Sequence, residues 1–339
     1  MDNELTTIMD DPSAIFIFTK DRPGSLSKTL YSLTKINTKI YVIDDSFLLK
    51  NRLENYNLTS SNYNINYYGK NEYSNFLISN KMNESNSCFQ IKELGIQEWN
   101  LGNARNFALV LAKLNGIENA LFMDDDIIVN NATLISDSFR LLENYLFVGA
   151  RISGMPDDSI IGHISSELEV EKDYERMLSG GFLAFNPKKV NIQFTNIYNE
   201  DWIWMFLQLN GNKFLEFGEV FQAKFDPFSN YESKILFQEF GEIVIDGIIQ
   251  VQDNDYCNFL KDDLFWADII NERKKYLEKL IKISKQKKKK SFTEMVSWLE
   301  ANLLNFDEFK FASYFTEYFV QSQKFMHFTN ETVKIEHII

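Results

Sequence analysis

Short apolar runs alternate with stretches of helical periodicity through the first half of the chain. Ala14-Ile15-Phe16-Ile17-Phe18 is a continuous apolar run closed by the polar Thr19-Lys20-Asp21-Arg22-Pro23-Gly24. A run this short, bounded by turn residues, predicts a buried strand, and Leu26, Leu30 and Leu33 then recur at helical spacing. Lys39 to Ile43 predicts a second buried strand, closed by Asp44-Asp45-Ser46, and Tyr63 to Tyr68 a third, with asparagine at alternate positions. Leu101 to Leu114 predicts a helix apolar nearly all round and therefore buried, and Gly116 stops it. Ala120-Leu121-Phe122-Met123 is the next buried strand, and its carboxyl end delivers Asp124-Asp125-Asp126. A helix from about Ala132 to Tyr145 and a strand from Phe147 to Ile152 continue the alternation. Strand, helix and strand at this spacing imply an α/β fold whose central sheet is mainly parallel and flanked by crossover helices.

Residues 1–12 form a short polar tail, and residues 70–98 are Asn/Ser-rich, reading as irregular structure with short helices. Beyond Gly154 the pattern loosens. From Asp262 a helical stripe of Phe265, Trp266, Ile269, Ile270, Leu277, Leu280 and Ile281 runs among charges, followed by the lysine run Lys285–Lys290 and two further helical patterns to about Met326. The chain thus divides into a tail (1–12), a main α/β domain (13–260) and a C-terminal helical region (261–339), with no internal repeat.

Composition narrows the classes. The 339 residues are 45% hydrophobic with 30 Phe, enough for a sizeable core, and the 5 Pro and 14 Gly argue against long disordered linkers. A net charge of −13 excludes a general nucleic-acid binder, which needs a broad basic face. It leaves open an enzyme that neutralises an anionic substrate locally. Two cysteines, Cys88 and Cys257, make no disulfide framework and read as reduced thiols, a single bridge between them being the minority alternative. Met1-Asp2-Asn3-Glu4 is acidic with no long apolar stretch after it, so no signal peptide is expected. No window approaches the ~18 apolar residues of a membrane span. The expectation is a soluble, cytoplasmic protein. The lysines at 285–290 read as a solvated helix end, or as a weak contact with an anionic membrane surface or acidic partner.

Three carboxylates in a row at the end of an apolar strand are costly unless something positive meets them. A divalent cation (Mn2+ or Mg2+) chelated by a nucleotide diphosphate is a natural partner, since hard ions take carboxylate and phosphate oxygens. The alternative is a solvated acidic loop near a helix N-terminus. Asp44-Asp45-Ser46 ends the second strand and Thr19 and Asp21 follow the first, which places polar groups from three strand ends on the carboxyl edge, where open α/β sheets bind ligands. No GxGxxG or P-loop follows the first strand.

The segments Ala14–Leu33, Tyr41–Ser46, Leu101–Asn106 and Leu121–Ile128, extended by Gly180-Gly181-Phe182 and Tyr198-Asn199-Glu200-Asp201-Trp202, resemble family 2 and related GT-A glycosyltransferases over roughly residues 14–245. The resemblance implies a nucleotide-diphospho-sugar transferase fold and a metal-dependent, hexosyltransferase-like activity. A UDP-sugar is the favoured donor, and the hydroxyl acceptor sits on a glycan, a lipid carrier or a protein. It implies that Asp124 and Asp126 are the outer positions of a DXD motif, Asp126 the more direct metal ligand, with Asp125 beside the donor. Thr19 and Asp44 would meet the base and ribose, Asp44 accepting from a uracil-type imide. Asp21 would line the same nucleotide site. Arg105 would orient the acidic groups around the nucleotide, its alternative being a structural helix salt bridge. Gly180 and Gly181 would admit backbone close to the donor sugar, or simply form a tight turn before the Phe182–Phe185 strand.

In inverting members the Glu200-Asp201 segment supplies the base. The resemblance therefore implies Asp201 as general base, Glu200 holding the acceptor, and Trp202 or Trp204 offering a ring to a sugar, unless these rings are core. His163, His327 and His337 stand in no ligand motif. The competing classes are a nucleotidyltransferase, which needs a basic Gly-rich loop where Thr19–Gly24 offers only Lys20 and Arg22, and a degenerate GT-A domain that binds a glycan or protein partner.

Overall fold

A computed structural model describes residues 12–60, 62, 64–69, 72, 75, 101–131, 133–154, 158–170, 178–209, 213–224, 226–251, 256–303, 306 and 308–336. Positions 1–11 of the tail, nearly all of 70–98, Tyr63, Cys88, Ala132 and His337 lie outside these described residues. The strands are β1 (Ser13–Thr19), β2 (Lys39–Asp44), β3 (Ile65–Tyr68), β4 (Asn119–Asp124), β5 (Ile127–Ile128), β6 (Phe147–Gly154), β7 (Phe182–Phe185) and β8 (Phe214–Gln222). The main-domain helices are α1 (Pro23–Ser32), α2 (Leu49–Ser60), α3 (Leu101–Leu114), α4 (Thr133–Leu141), α5 (Ile160–Glu167), α6 (Glu200–Leu209) and α7 (Ile235–Gln250). After a single turn at Tyr256–Phe259 come α8 (Asp263–Gln286), α9 (Lys290–Asn302) and α10 (Glu308–Glu336).

The strands form one sheet in the order β3-β2-β1-β4-β7-β6-β8-β5. β3, β2, β1 and β4 pair in parallel, β7 is antiparallel to both its neighbours, β6 and β8 are parallel, and β5 runs against β8. Only β7 and β5 therefore oppose the common direction, and the sheet is mainly parallel as the alternation implied.

β1 explains why its run is unbroken. Ala14, Phe16 and Phe18 pack on one face with Phe107 and Leu111 of α3, while Ile15 and Ile17 pack on the other with Leu26 of α1 and Leu134 of α4. A parallel strand covered on both faces has no solvent side on which to place polar residues.

Helix α2 shows the opposite logic. Its buried residues are Asn55 and Thr59, whereas Leu49, Leu53 and Tyr56 are exposed. Its apolar periodicity points outward, so the pattern of apolar positions did not reveal the helix. β8 and α7 likewise fall in the region where the pattern loosened.

Helix α8 carries the predicted stripe: Trp266, Ile269, Ile270, Leu277 and Leu280 are buried, and with Val296 of α9 and Phe311 and Phe315 of α10 they join a cluster that also holds Ile164 of α5, Ile203 of α6 and Phe240 of α7. The lysine run interrupts the helical region, with Lys287 capping α8 and Lys288 at φ 58 before α9 begins. Lys287 pairs with Glu169 at 2.6 Å, Lys289 with Glu167 at 3.5 Å and Lys290 with Glu294 at 3.6 Å. Apolar packing is continuous across position 261. Truncation after Lys261 is thus expected to strip the cover from Phe240, Ile243 and Ile248 and abolish cooperative thermal unfolding. A truncated chain with a sharp unfolding transition would show that the first 261 residues stand alone.

Candidate functional site

The register of the sheet brings the predicted strand ends together. Thr19 lies opposite Asp44, and Phe18 opposite Asp124, so the residues that end β1, β2 and β4 share one carboxyl edge. The aspartate triplet does not stop there. It crosses the edge to β5, whose Ile127 pairs with Gln222 of β8, and Ala223 donates its N–H to Asp126 O at 3.3 Å. The Thr29 hydroxyl of α1 lies 2.7 Å from Asp125 O and 2.9 Å from Ile127 O, fixing this crossing from below.

Around the triplet the charges are unequal. Asp125 is fully buried; it accepts from the Thr19 hydroxyl at 2.5 Å and pairs with Arg22 at 2.6 Å. Arg22 also donates to Asp126 Oδ2 at 3.0 Å. Arg105, 2% exposed, reaches Asp124 at 3.5 Å, Glu200 at 2.7 Å and Asp201 at 3.9 Å, and its guanidinium lies 5.8 Å from the Phe18 ring centroid and 5.9 Å from that of Phe194. Five carboxylates therefore face two guanidinium groups.

The surplus shows in the proton affinities. Burial raises Asp124 despite Arg105, and pushes Asp125 up to about 7 against the pull of Arg22 and Thr19. Burial likewise lifts Glu200 above the usual carboxylate range, with Arg105 opposing. Burial would lower Arg22, but Asp125 and Asp126 hold it above its ordinary value.

Glu200 and Asp201 open α6, directly after Asn199 at φ 65. Asp201 accepts from the Gly180 N–H at 2.7 Å and from the Trp202 N–H at 2.9 Å. Gly180 is needed here: a Cβ would lie 2.5 Å from Arg105 Nη1. The close approach that its bareness permits is to Arg105. Gly180→Ala is expected to cost about 1–3 kcal/mol by overpacking and to dislodge Arg105. An unchanged melting temperature would contradict this packing. Gly181 sits beside Asp124: its N–H donates to Ser179 Oγ at 3.1 Å, and its O accepts from Asp124 N at 3.1 Å.

Asp44 is buried and already engaged: Oδ1 accepts from Ser46 N at 2.8 Å, and Oδ2 from Asn55 at 3.0 Å and the Tyr67 hydroxyl at 2.6 Å. Asp21, at φ 55, turns its carboxylate to the N–H groups of Phe47 (3.1 Å) and Leu48 (3.0 Å) and to Asn51 Nδ2 (3.2 Å). Burial opposes, but these donors hold Asp21 below its usual range. In this structure Asp21 therefore clamps the start of α2. Trp204 is fully buried, stacked on Phe194 at 4.1 Å and donating to Ile192 O at 2.6 Å, so it is core. Trp202 is partly buried between two apolar clusters. His163 packs against Phe228 in α5, and His327 lies exposed in α10.

Arg22, Asn55 and Tyr67 are the site residues that sequence reasoning missed. Only Arg22 carried a signal, as a cation in the loop after β1.

Among the described residues no group of three or more His, Cys, Asp or Glu side chains forms a metal cage, and no helix is long and apolar enough to cross a membrane. A cation shared with a diphosphate needs fewer protein ligands. The triplet fits one on its own terms: Asp126 Oδ1 is buried with no hydrogen-bond partner among the described residues, and Asp124 keeps a side chain 16% exposed.

No protein-family model matches the chain, and no curated protein matches it. Among solved structures it is similar to glucosyl-3-phosphoglycerate synthase from Mycobacterium tuberculosis, in complex with Mn2+, UDP-glucose and glycerol 3-phosphate. The identity is 10%, covering 71% of this chain and 81% of that one, with a TM-score of 0.47. It is also similar to a mannosyltransferase from Pyrobaculum calidifontis in complex with GDP-mannose and Mn2+, at 12% identity over 86% of this chain and 87% of that one, TM-score 0.48.

Proposed function

We propose that this protein is a GT-A type glycosyltransferase that moves a sugar from a nucleotide diphosphate to a hydroxyl acceptor with inversion. The observation that carries the proposal is Arg105. Buried in α3, it joins Asp124 of the triplet to Glu200 and Asp201 of α6. Donor-side and acceptor-side carboxylates are thereby held in one constellation, as a displacement at a carbon between them requires.

Asp124 and Asp126 would hold a divalent cation, which when bound supplies positive charge to the leaving diphosphate. Asp201, oriented by the Gly180 and Trp202 N–H groups, takes the proton from the acceptor hydroxyl as that oxygen attacks the anomeric carbon and the bond to the diphosphate oxygen breaks. Glu200, fixed by Arg105, sets the start of α6 and faces the acceptor. Thr19 and Asp44 border the nucleoside, with uridine as the proposed base. Asp125 supports the crossing, and Gly181 lets the donor sugar approach.

A thermal-shift screen of UDP- and GDP-sugars, with and without Mn2+, tests this. A ligand at ~100 times its dissociation constant stabilises by about 2.7 kcal/mol, a shift on the order of 4 °C for a chain of this length. Asp126→Ala is expected to abolish the metal-dependent part of that shift while the unliganded melt survives, because Asp126 lies on a loop at the sheet edge. Donor turnover by Asp126→Ala in EDTA at the rate of wild type with Mn2+ would overturn the metal role.

A further inference from the structure

The two guanidinium groups of the site are held very differently. Arg105 is walled in by Phe18 and Phe194 and does not reach solvent. Arg22 has a side chain 48% exposed, yet its head group pairs with Asp125 at 2.6 Å and Asp126 at 3.0 Å. Its backbone is fixed on both sides. Asp21 before it is clamped to Phe47, Leu48 and Asn51, and Pro23 after it begins α1. A rigid root and a half-exposed side chain describe a residue that can pivot without moving its loop.

Arg22 occupies Asp126 Oδ2, one oxygen of the carboxylate assigned to the metal, while Oδ1 is left with no partner among the described residues. Resting on the reading of this edge as a metal–diphosphate site, we propose that Arg22 is an exchangeable counter-ion. It neutralises Asp125 and Asp126 before donor binding, yields Asp126 to the incoming divalent cation, and pivots to pair with the donor diphosphate.

Two physical arguments favour the exchange. A divalent cation brings twice the charge of the guanidinium to a cluster with surplus carboxylates, so replacement is downhill for the cluster. The released planar fork matches phosphate oxygens in bidentate fashion, so it loses one anionic partner and gains another. The consequence is ordered affinity: Arg22 opposes the metal alone and favours the metal together with a nucleoside diphosphate.

The test titrates Mn2+ into the nucleotide-free full-length chain, reading free Mn2+ by EPR, and measures UDP and GDP binding by calorimetry at saturating Mn2+. Removing a competing charge-assisted pair should tighten Mn2+ binding by Arg22→Ala roughly tenfold, and losing the bidentate phosphate contact should weaken nucleoside diphosphate binding roughly tenfold. Arg22→Lys, which keeps the charge without the fork, should fall between, and it carries the test if Arg22→Ala lacks a cooperative melt. A residue that only binds diphosphate, or only braces the loop, would not move the two affinities in opposite directions. Mn2+ affinity equal to or weaker than wild type in both variants overturns the exchange. If Asp126→Ala loses Mn2+ in that same series, the metal reading stands and only the exchange fails. If UDP and GDP bind wild type equally well in EDTA, both fall together.

Discussion

Asp201→Asn is expected to lower sugar transfer by ~10²–10⁴-fold, the usual contribution of a general base. The substitution keeps the size of the side chain and one carbonyl oxygen to accept from Gly180 N, which now lies 2.7 Å from Asp201 Oδ2. It removes the basic lone pair. The geometry distinguishes Asp201 from its neighbour: Glu200 is locked to Arg105 at 2.7 Å, whereas Arg105 stands 3.9 Å from Asp201. A carboxylate held by backbone N–H groups keeps its orientation while remaining free to take a proton. Donor affinity should hardly change, because nucleotide and cation are assigned to other residues, so the loss belongs to the transition state. Single-turnover transfer and donor titration separate the two quantities, and NMR of the product linkage should show the anomeric configuration opposite to the donor's. Retention of configuration, or near-normal transfer by the variant, would falsify the assignment.

Arg273→Met is expected to be the most destabilising single change outside the apolar core, by about 3–5 kcal/mol. Arg273 of α8 is buried and makes a two-point pair with Glu239 of α7 at 2.6 and 3.0 Å, with Asp246 at 3.1 Å and Glu242 at 3.6 Å. Burial would lower its proton affinity, but the three carboxylates hold it well above the ordinary value. Methionine fills much of the same volume and leaves these carboxylates without their cation in a desolvated place. The same cluster touches the site, since Asn199, the residue before Glu200, donates to Glu242 Oε1 at 3.3 Å. Denaturant titration measures the loss. Adding Glu239→Gln should recover part of it, because the pair's energy is shared rather than additive. A variant within ~0.5 kcal/mol of wild type would show the cluster to be solvated enough to dispense with Arg273.

These two residues illustrate how unevenly the sequence reports on the site. Asp201 was legible as a candidate because a carboxylate pair in a recognisable segment stands out along the chain, and its role as base is the proposal made above. Arg273 was not, because it stands among the charges of an amphipathic helix, and nothing along that helix tells an inward-facing arginine from an outward-facing one. Asp21 and Asp44 were correctly placed on the carboxyl edge, but their bonds to the start of α2, to Asn55 and to Tyr67 required a helix whose polar face is the buried one.

The sequence by itself determined the order of strands and helices through β6, apart from α2 and β5, and the mainly parallel character of the sheet. It also determined that Thr19, Asp44 and Asp124 end strands on a common edge. Those properties follow from burial along a single element: a strand covered on both faces must be apolar throughout, and its first polar residue marks its end. Tertiary structure alone decided which charges meet there. Arg22 finds Asp126 across 104 positions, Arg105 finds Glu200 across 95, and Gly180 leaves room for Arg105. The triplet's crossing to β8 and the merging of α8, α9 and α10 with α6 and α7 were settled in the same way. Periodicity records how deeply each residue is buried, whereas the pairing of distant side chains depends on strand register and helix packing, which no local pattern encodes.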